Sequence, residues 1–475
     1  MNPSASPSVP VPGQVHGASV GPTPLAGLVH LVRVSADRAM SALARLLIRV
    51  FFRGVEVEHI ERLATDRPTV LVADHRNGLV DGLLLMAALP RYPRFLGKST
   101  LFHNPLLWPF LKVGGVVPIY RTQDGGSPEG NRRAFARCHR LLAGGGLVAI
   151  FPEGISHDEP ALQPLRTGAA RIALSAAATG VADVETVAVT LIYDDKQRFR
   201  SRALVRVGVP RPTGPWLDRY RIDEPGAVRS LTEDVAERLR QDGGGFDSWA
   251  EADRYAAIAD VVARPASVLP GPAALVDRSE VVDTLRRAAG LPGHRDAMES
   301  LALAASSYGE LLEVVGLTDA QVAADYGSGR LRWSLARALM AVLVALPVAL
   351  IGAVVHAVPY ALVKVAGRVP SNVGVRATVK VLGSFFLYAL TYAAVGAVVA
   401  TAWGAGWGLV AAVAAPACGY VTLRTVERVR RMDGAITGYR AIRSGGPVSD
   451  LLRARRAAVV TAALVVMDGT APTGP

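Results

Sequence analysis

An imidazole at His75 and a carboxylate at Asp81 flank a short turn, Arg76-Asn-Gly-Leu-Val80. The apolar run Val70-Leu-Val72 before them has the length and composition of a buried strand. Leu83, Leu84, Leu85 and Met86 after them continue as a helix. A strand thus delivers the histidine and a helix opens on the aspartate. A neutral imidazole, with an ordinary pKa of about 6.5, takes a proton at neutral pH. A nearby carboxylate fixes its tautomer and stabilises the imidazolium that forms. Taken alone, the pair reads as a loop histidine beside a helix-capping aspartate.

The order of the downstream residues gives the pair its chemistry. Lys98 stands after Phe95-Leu-Gly, and Gly114-Gly-Val-Val-Pro-Ile-Tyr-Arg121 is a β-branched strand ending on an arginine. Gly146 to Phe151 is a second buried strand and runs straight into Pro152-Glu153-Gly154. Arg166-Thr167-Gly168 then opens a helix whose free N–H groups suit an anion. Polar residues recur where apolar strands stop, and in open α/β sheets that edge is where ligand crevices form. Arg121 offers a planar fork matched to phosphate. A base, an orienting carboxylate and phosphate-binding groups make a set for activating a hydroxyl on a phosphorylated acceptor. His157 is a second histidine near this edge, read as a hydrogen-bonded structural residue rather than a base.

These blocks resemble the glycerolipid acyltransferase superfamily, which contains glycerol-3-phosphate and lysophosphatidate acyltransferases. His75 and Asp81 match its first block, Gly114 to Arg121 its second, and Phe151-Pro-Glu-Gly154 its third. Val187 to Tyr193 matches the fourth loosely, without its proline, and Arg166 stands for the basic residue after the third. The family usually places four residues between the histidine and the aspartate, and here there are five. That spacing, with Ser156-His157-Asp158, is similar to a subgroup acting on glycerol-3-phosphate or dihydroxyacetone phosphate.

The resemblance implies an O-acyltransferase with His75 as general base and Asp81 as its orienting partner. Lys98, Arg121, Glu153, Gly154 and Arg166 would bind the acceptor. It implies an acyl-CoA or acyl carrier protein donor, a phosphorylated glycerol acceptor and contact with membrane lipid. Lysophosphatidate is the alternative acceptor, and a non-catalytic lipid-binding scaffold is the reading of another class. The histidines and carboxylates are not at ligand spacings, so neither a metal nor a cofactor is expected.

Strands alternating with helices over 55–212 predict an α/β domain, a mixed sheet flanked by helices. Before it, 1–27 is Pro-, Ser- and Gly-rich and reads as a disordered leader. Residues 28–54 read as an amphipathic helix, with Arg38, Arg45, Arg49 and Arg53 opposite Met40, Leu43, Leu47 and Phe51. It is expected to lie in a membrane interface. Residues 213–332 are charged and helical in pattern and read as a linker or lid subdomain without chemistry of its own.

Apolar residues concentrate after Leu335, so 333–422 is expected to be an all-α membrane region. Within it, 338–363 contains Pro347 and Pro359 and is expected to dip in and return. Residues 381–421 are expected to form a hairpin broken near Gly404. The basic groups Arg330, Arg332 and Arg337, then Lys364, Arg368, Arg376 and Lys380, then Arg424, Arg428, Arg430 and Arg431 all favour the cytoplasmic side. Residues 423–475 read as a basic cytoplasmic tail. This predicts a protein of the cytoplasmic membrane, as in a bacterium, with its site facing the cytoplasm.

The net charge of +12 and pI near 10.0 agree with an anionic membrane surface or substrate. No zinc spacing and no aromatic-interleaved basic run is present, so nucleic acid is not an expected partner. Two cysteines, Cys138 and Cys418, do not make a disulfide framework.

Overall fold

The computed structural model describes residues 24–468, apart from 64–65, 106, 122–125, 127, 197, 244, 266, 268 and 367–372. Residues 1–23 of the expected leader and Arg368 therefore lie outside the described residues. Helix α1 (Pro24–Phe51) leads into β1 (Phe52–Glu58), so the helix expected over 28–54 starts and ends earlier. The switch at Phe52 follows from burial. Its ring is 2% exposed and stacks against Tyr193, and its backbone pairs with Ser201.

The α/β unit continues with β2 (Thr69–Ala73), α2 (Leu79–Ala88), β3 (Arg94–Lys98), α3 (Trp108–Val113) and β4 (Val117–Ile119). Then come α4 (Pro128–Ala143), β5 (Leu147–Ile150), α5 (Gly168–Ala178), β6 (Glu185–Tyr193), β7 (Ser201–Val207) and β8 (Arg211–Pro212). The strand order is β1-β7-β6-β2-β5-β3-β4, with β8 beside β6. β2, β5, β3 and β4 run parallel, and β6 joins β2 in the same sense. β7 and β8 are antiparallel to β6, which makes the mixed sheet expected from the sequence.

Every residue of β2 is buried, as a central parallel strand with both faces covered requires. Its side chains alternate between two cores. Leu71 and Ala73 enter one with α1 and α2, while Val70 and Val72 enter the other with α4 and α5. The second core also takes Ala227, Val228, Leu231, Val235 and Leu239. These come from α7 (Glu224–Gln241), which follows α6 (Gly214–Ile222). The sheet thus draws on residues beyond the boundary expected at 212.

A third core gathers α8 (Trp249–Val262), α9 (Leu275–Ala289), α10 (Arg295–Val315) and the short α11 (Asp319–Val322). Ile442, Leu452, Val459, Ala463 and Val466 complete it. Those residues belong to the end of α14 (Ala405–Ser444) and to α15 (Pro447–Asp468), so the expected basic tail packs one face against helices. Buried Asp319 fixes the junction, accepting from Tyr308 Oη at 2.8 Å, Arg264 Nε at 2.5 Å and Arg456 Nε at 2.9 Å. A buried ion-paired cluster joins this region to the sheet. Arg206 of β7 donates to Glu58 at 2.6 Å, to Ser279 at 2.6 Å and to Asp283 of α9.

Among the described residues, three helices are long and apolar enough to cross a membrane: most of α12 (Ser328–Ala366), most of α13 (Val373–Trp403) and α14. The return expected near Pro347 or Pro359 does not form. The backbone stays helical through both prolines over 39 residues. Neighbouring helices and local adjustment satisfy the carbonyls that a membrane proline frees. The expected hairpin does form: α13 and α14 meet at Gly404, whose φ is 93°.

α12 and α14 run antiparallel. Tyr326 meets Tyr439, and Thr422 Oγ1 donates to Ala349 O at 2.8 Å. Gly352 lies so close to α14 that a Cβ there would overlap the Cys418 carbonyl oxygen. The basic groups 330–337 and 424–431 therefore share one end of the bundle, without any dip, and Lys364 lies near the other end of α12.

Candidate active site

Asp74 and His75 follow directly on β2, the central strand, and Asp81 sits in the first turn of α2. His75 Nδ1 lies 2.9 Å from Asp81 Oδ2, so five intervening residues bring the pair into contact. The same oxygen accepts from the Asn77 backbone N–H at 2.7 Å, and Oδ1 accepts from Tyr193 Oη. Asp81 is fully buried and near the positive end of α2, where a carboxylate is favoured. With a carboxylate on Nδ1, the proton rests there and Nε2 presents its lone pair. Nε2 makes no hydrogen bond among the described residues. The imidazole is 19% exposed and lies flat on Phe151, with centroids 4.2 Å apart. Phe95 stacks on the far side of Phe151.

Glu153 stands under this pair. Its Oε1 accepts from the His75 backbone N–H at 2.8 Å, and Oε2 accepts from the Gln163 N–H at 3.0 Å and pairs with His157 Nε2. Burial alone would raise this carboxyl. The hydrogen bonds from His157, His75 and Gln163 outweigh it and hold the pKa below the ordinary value. His157 accepts from the Glu159 N–H at 3.2 Å on its other nitrogen, so both ring nitrogens are engaged. That agrees with a structural histidine.

Gly154 has φ +72°, and a Cβ there would sit 2.7 Å from Arg166 Nε. A side chain is excluded because the arginine lies across the backbone. Arg166 is tied to the same loop, its N–H donating to Pro152 O at 2.8 Å. Lys98 ends β3 and pairs with Ile119 of β4, and Arg121 follows two residues later. β3 and β4 lie two and three strands from β2, about 10 and about 14 Å at a strand spacing of about 4.8 Å. The sequence-predicted residues thus all lie along one carboxyl edge. His75, Asp81 and Glu153 are joined by hydrogen bonds, Gly154 and Arg166 are adjoining, and Lys98 and Arg121 are farther along.

Sequence reasoning missed three supports. Tyr193 reaches Asp81 from the end of β6, and strand pattern does not mark a terminal tyrosine as functional. Asp74 is buried, accepts from the Leu191 N–H at 2.8 Å and from Arg76 Nε at 2.8 Å, and is pushed up to about 6 by burial against the opposing Arg76 charge. Asn77 Nδ2 donates to Lys196 O at 3.2 Å and pins the turn.

The family model described as Acyltransferase matches residues 54–192, the stretch that carries this edge up to the residue before Tyr193. The chain is 38% identical over 96 residues to glycerol-3-phosphate O-acyltransferase 2 of Saccharomyces cerevisiae, covering 20% of this chain and 13% of the yeast protein. It is 33% identical over 121 residues to 1-acyl-sn-glycerol-3-phosphate acyltransferase of Bacillus subtilis, covering 25% of this chain and 56% of that protein. Among solved structures, the 1-acyl-sn-glycerophosphate acyltransferase of Thermotoga maritima aligns with a TM-score of 0.32 and 18% identity, over 45% of this chain and 83% of that one. The chain thus spans about an eighth of the yeast relative and just over half of the Bacillus one. Residues 54–192 thus match the acyltransferase family model and resemble the glycerolipid acyltransferases.

Proposed function

We propose that this protein transfers a fatty acyl group from a thioester donor to a hydroxyl of glycerol-3-phosphate or dihydroxyacetone phosphate, an early step of phospholipid synthesis. The observation that carries the reading is the His75–Asp81 pair, bonded through Nδ1 with Nε2 open. Nε2 takes the proton from the acceptor hydroxyl as its oxygen attacks the thioester carbonyl. A C–O bond forms, the C–S bond breaks, and the imidazolium returns its proton to the leaving thiolate. No covalent enzyme intermediate is required. Buried Cys138, whose thiol is pushed up to about 12 by burial, is unsuited as a nucleophile.

Base catalysis of this kind supplies about 10²–10⁴-fold, so positioning and oxyanion stabilisation supply the remainder. In this reading Asp81 and Tyr193 fix the imidazole. Glu153, its oxygens already engaged, holds the His75 backbone. Lys98, Arg121 and Arg166 face the acceptor phosphate across the edge, and Gly154 leaves room for the Arg166 side chain. Lysophosphatidate is the second acceptor, favoured by the similarity to the Bacillus protein.

The site faces the cytoplasm in this proposal. Arg200, which donates to the Arg49, Val50 and Phe52 carbonyls, also donates to Glu427 of α14 at 2.7 Å. That fastens the α/β domain beside the basic end of the bundle, the end the positive-inside rule assigns to the cytoplasm. Membranes carrying the protein, given palmitoyl-CoA and one acceptor at a time, should release thiol with glycerol-3-phosphate or dihydroxyacetone phosphate. Release with lysophosphatidate alone would move the assignment to the second acylation. No release with any acceptor, from CoA or carrier-protein donors, would favour a lipid-binding scaffold.

A further inference from the structure

We propose that the cleft between β4 and α4 binds the nucleotide end of a coenzyme A thioester, an inference that rests on the acyl-transfer reading of the His75 site. The cleft has a volume of about 430 Å³. β4 and Tyr120 form one wall, and Arg133, Arg137 and Arg140 of α4 form the other. Pockets for small molecules generally fall between about 300 and 1,000 Å³, so this one has the capacity for a nucleotide.

Charge narrows the class of ligand. Three guanidinium groups face one lining carboxylate, Glu129, which pairs with Arg133. Arg137 donates to the Gly115 carbonyl at 3.4 Å and has no ion pair among the described residues. The three arginines recur at positions 133, 137 and 140, spaced to place them on one side of α4. Planar forks in such a row suit several phosphate groups on one molecule. The 3′-phosphate and 5′-diphosphate of coenzyme A are such a set.

Position suits a long donor. β4 is three strands from β2, so the cleft stands about 14 Å across the sheet from the strand that carries His75. An extended phosphopantetheine arm bridges that separation, with its diphosphate in the cleft and its thioester at the imidazole. α4 lies in the core layer opposite α2, the helix on which α13 packs. The cleft therefore belongs to the layer away from the membrane helices, which favours a dissolved donor over a lipid headgroup.

The test uses the full chain in detergent. Adenosine 3′,5′-bisphosphate binding is measured by titration calorimetry, and kcat and KM are measured with palmitoyl-CoA and with palmitoyl-pantetheine, which lacks the nucleotide. Arg133→Glu/Arg140→Glu should weaken bisphosphate binding by about tenfold or more. It should also raise KM for palmitoyl-CoA while the pantetheine donor keeps its KM. Arg133→Lys/Arg140→Lys, which keeps the charge, should restore most of the binding. Arg140→Gln alone serves if the double reversal does not fold. Unchanged bisphosphate affinity with unchanged KM for palmitoyl-CoA overturns the proposal. A loss confined to acyl carrier protein donors also overturns it and gives the cleft to a protein partner. If the parent binds the bisphosphate, the arginine variants do not, and no acceptor is acylated, the nucleotide site stands and the acyl-transfer reading falls.

Discussion

His75 and His157 each meet a buried carboxylate at the carboxyl edge of one sheet, yet only His75 has a nitrogen to spare. His75 gives Nδ1 to Asp81 and leaves Nε2 open at 19% exposure. His157 gives Nε2 to Glu153, accepts from the Glu159 N–H on Nδ1, and is 8% exposed. The residue types are the same and the functions proposed for them are opposite. What separates them is whether the second nitrogen is engaged and whether substrate has access to it. The carboxylates differ in the same way. Asp81 orients a ring, whereas Glu153 orients a backbone and caps a loop.

Substitutions order themselves along that contrast. His75→Ala should lower acceptor-dependent thiol release by about 10²–10⁴-fold, measured as kcat/KM, because the open base is gone. Asp81→Asn should come next, at about 10²-fold or more, since an amide can hold the ring in the wrong tautomer. Tyr193→Phe removes one hydrogen bond to the Asp81 carboxylate, and a loss of about tenfold in kcat with little change in KM is expected.

His157→Gln should leave kcat/KM within about tenfold and act on stability instead. It removes a hydrogen bond to a charged group, worth about 1.5–3 kcal/mol at neutral pH. Glu153 is held below its ordinary pKa, so its contribution is present above about 4.5 and is lost as the pH falls through the lowered value. Denaturant unfolding should therefore show the largest gap between parent and variant at neutral pH, narrowing in acid. A gap that widened in acid would mean that His157 does not support Glu153.

The two dyads were not equally legible in the sequence. His75 and Asp81 bracket a strand-to-helix turn, and the polar strand ends that follow in order single them out as a pair. Phe151 to Gly154 also stands out because a buried strand ends on it. Tyr193 is invisible at that level, since its partner lies 112 residues away and is met only when β6 pairs with β2. The same limit hid the packing of α7 under the sheet and of α15 into the third core. Amphipathic periodicity shows that a helix has an apolar face without saying what covers it. α1 illustrates the ambiguity: Ala44 and Ile48 are buried in the sheet's first core, while Leu28, Leu31, Val32 and Leu46 remain exposed. The prolines of α12 misled in the other direction. Their cost is charged against a lone helix, and here α14 lies alongside.

The most direct test compares three versions of the full chain in one assay: the parent, His75→Ala and His157→Ala, each given palmitoyl-CoA and glycerol-3-phosphate. Thiol release should vanish to background in the first variant and persist within about tenfold of the parent in the second, as an open base and a closed support require. Release that survives His75→Ala, or that is abolished only by His157→Ala, would contradict the assignment of the base.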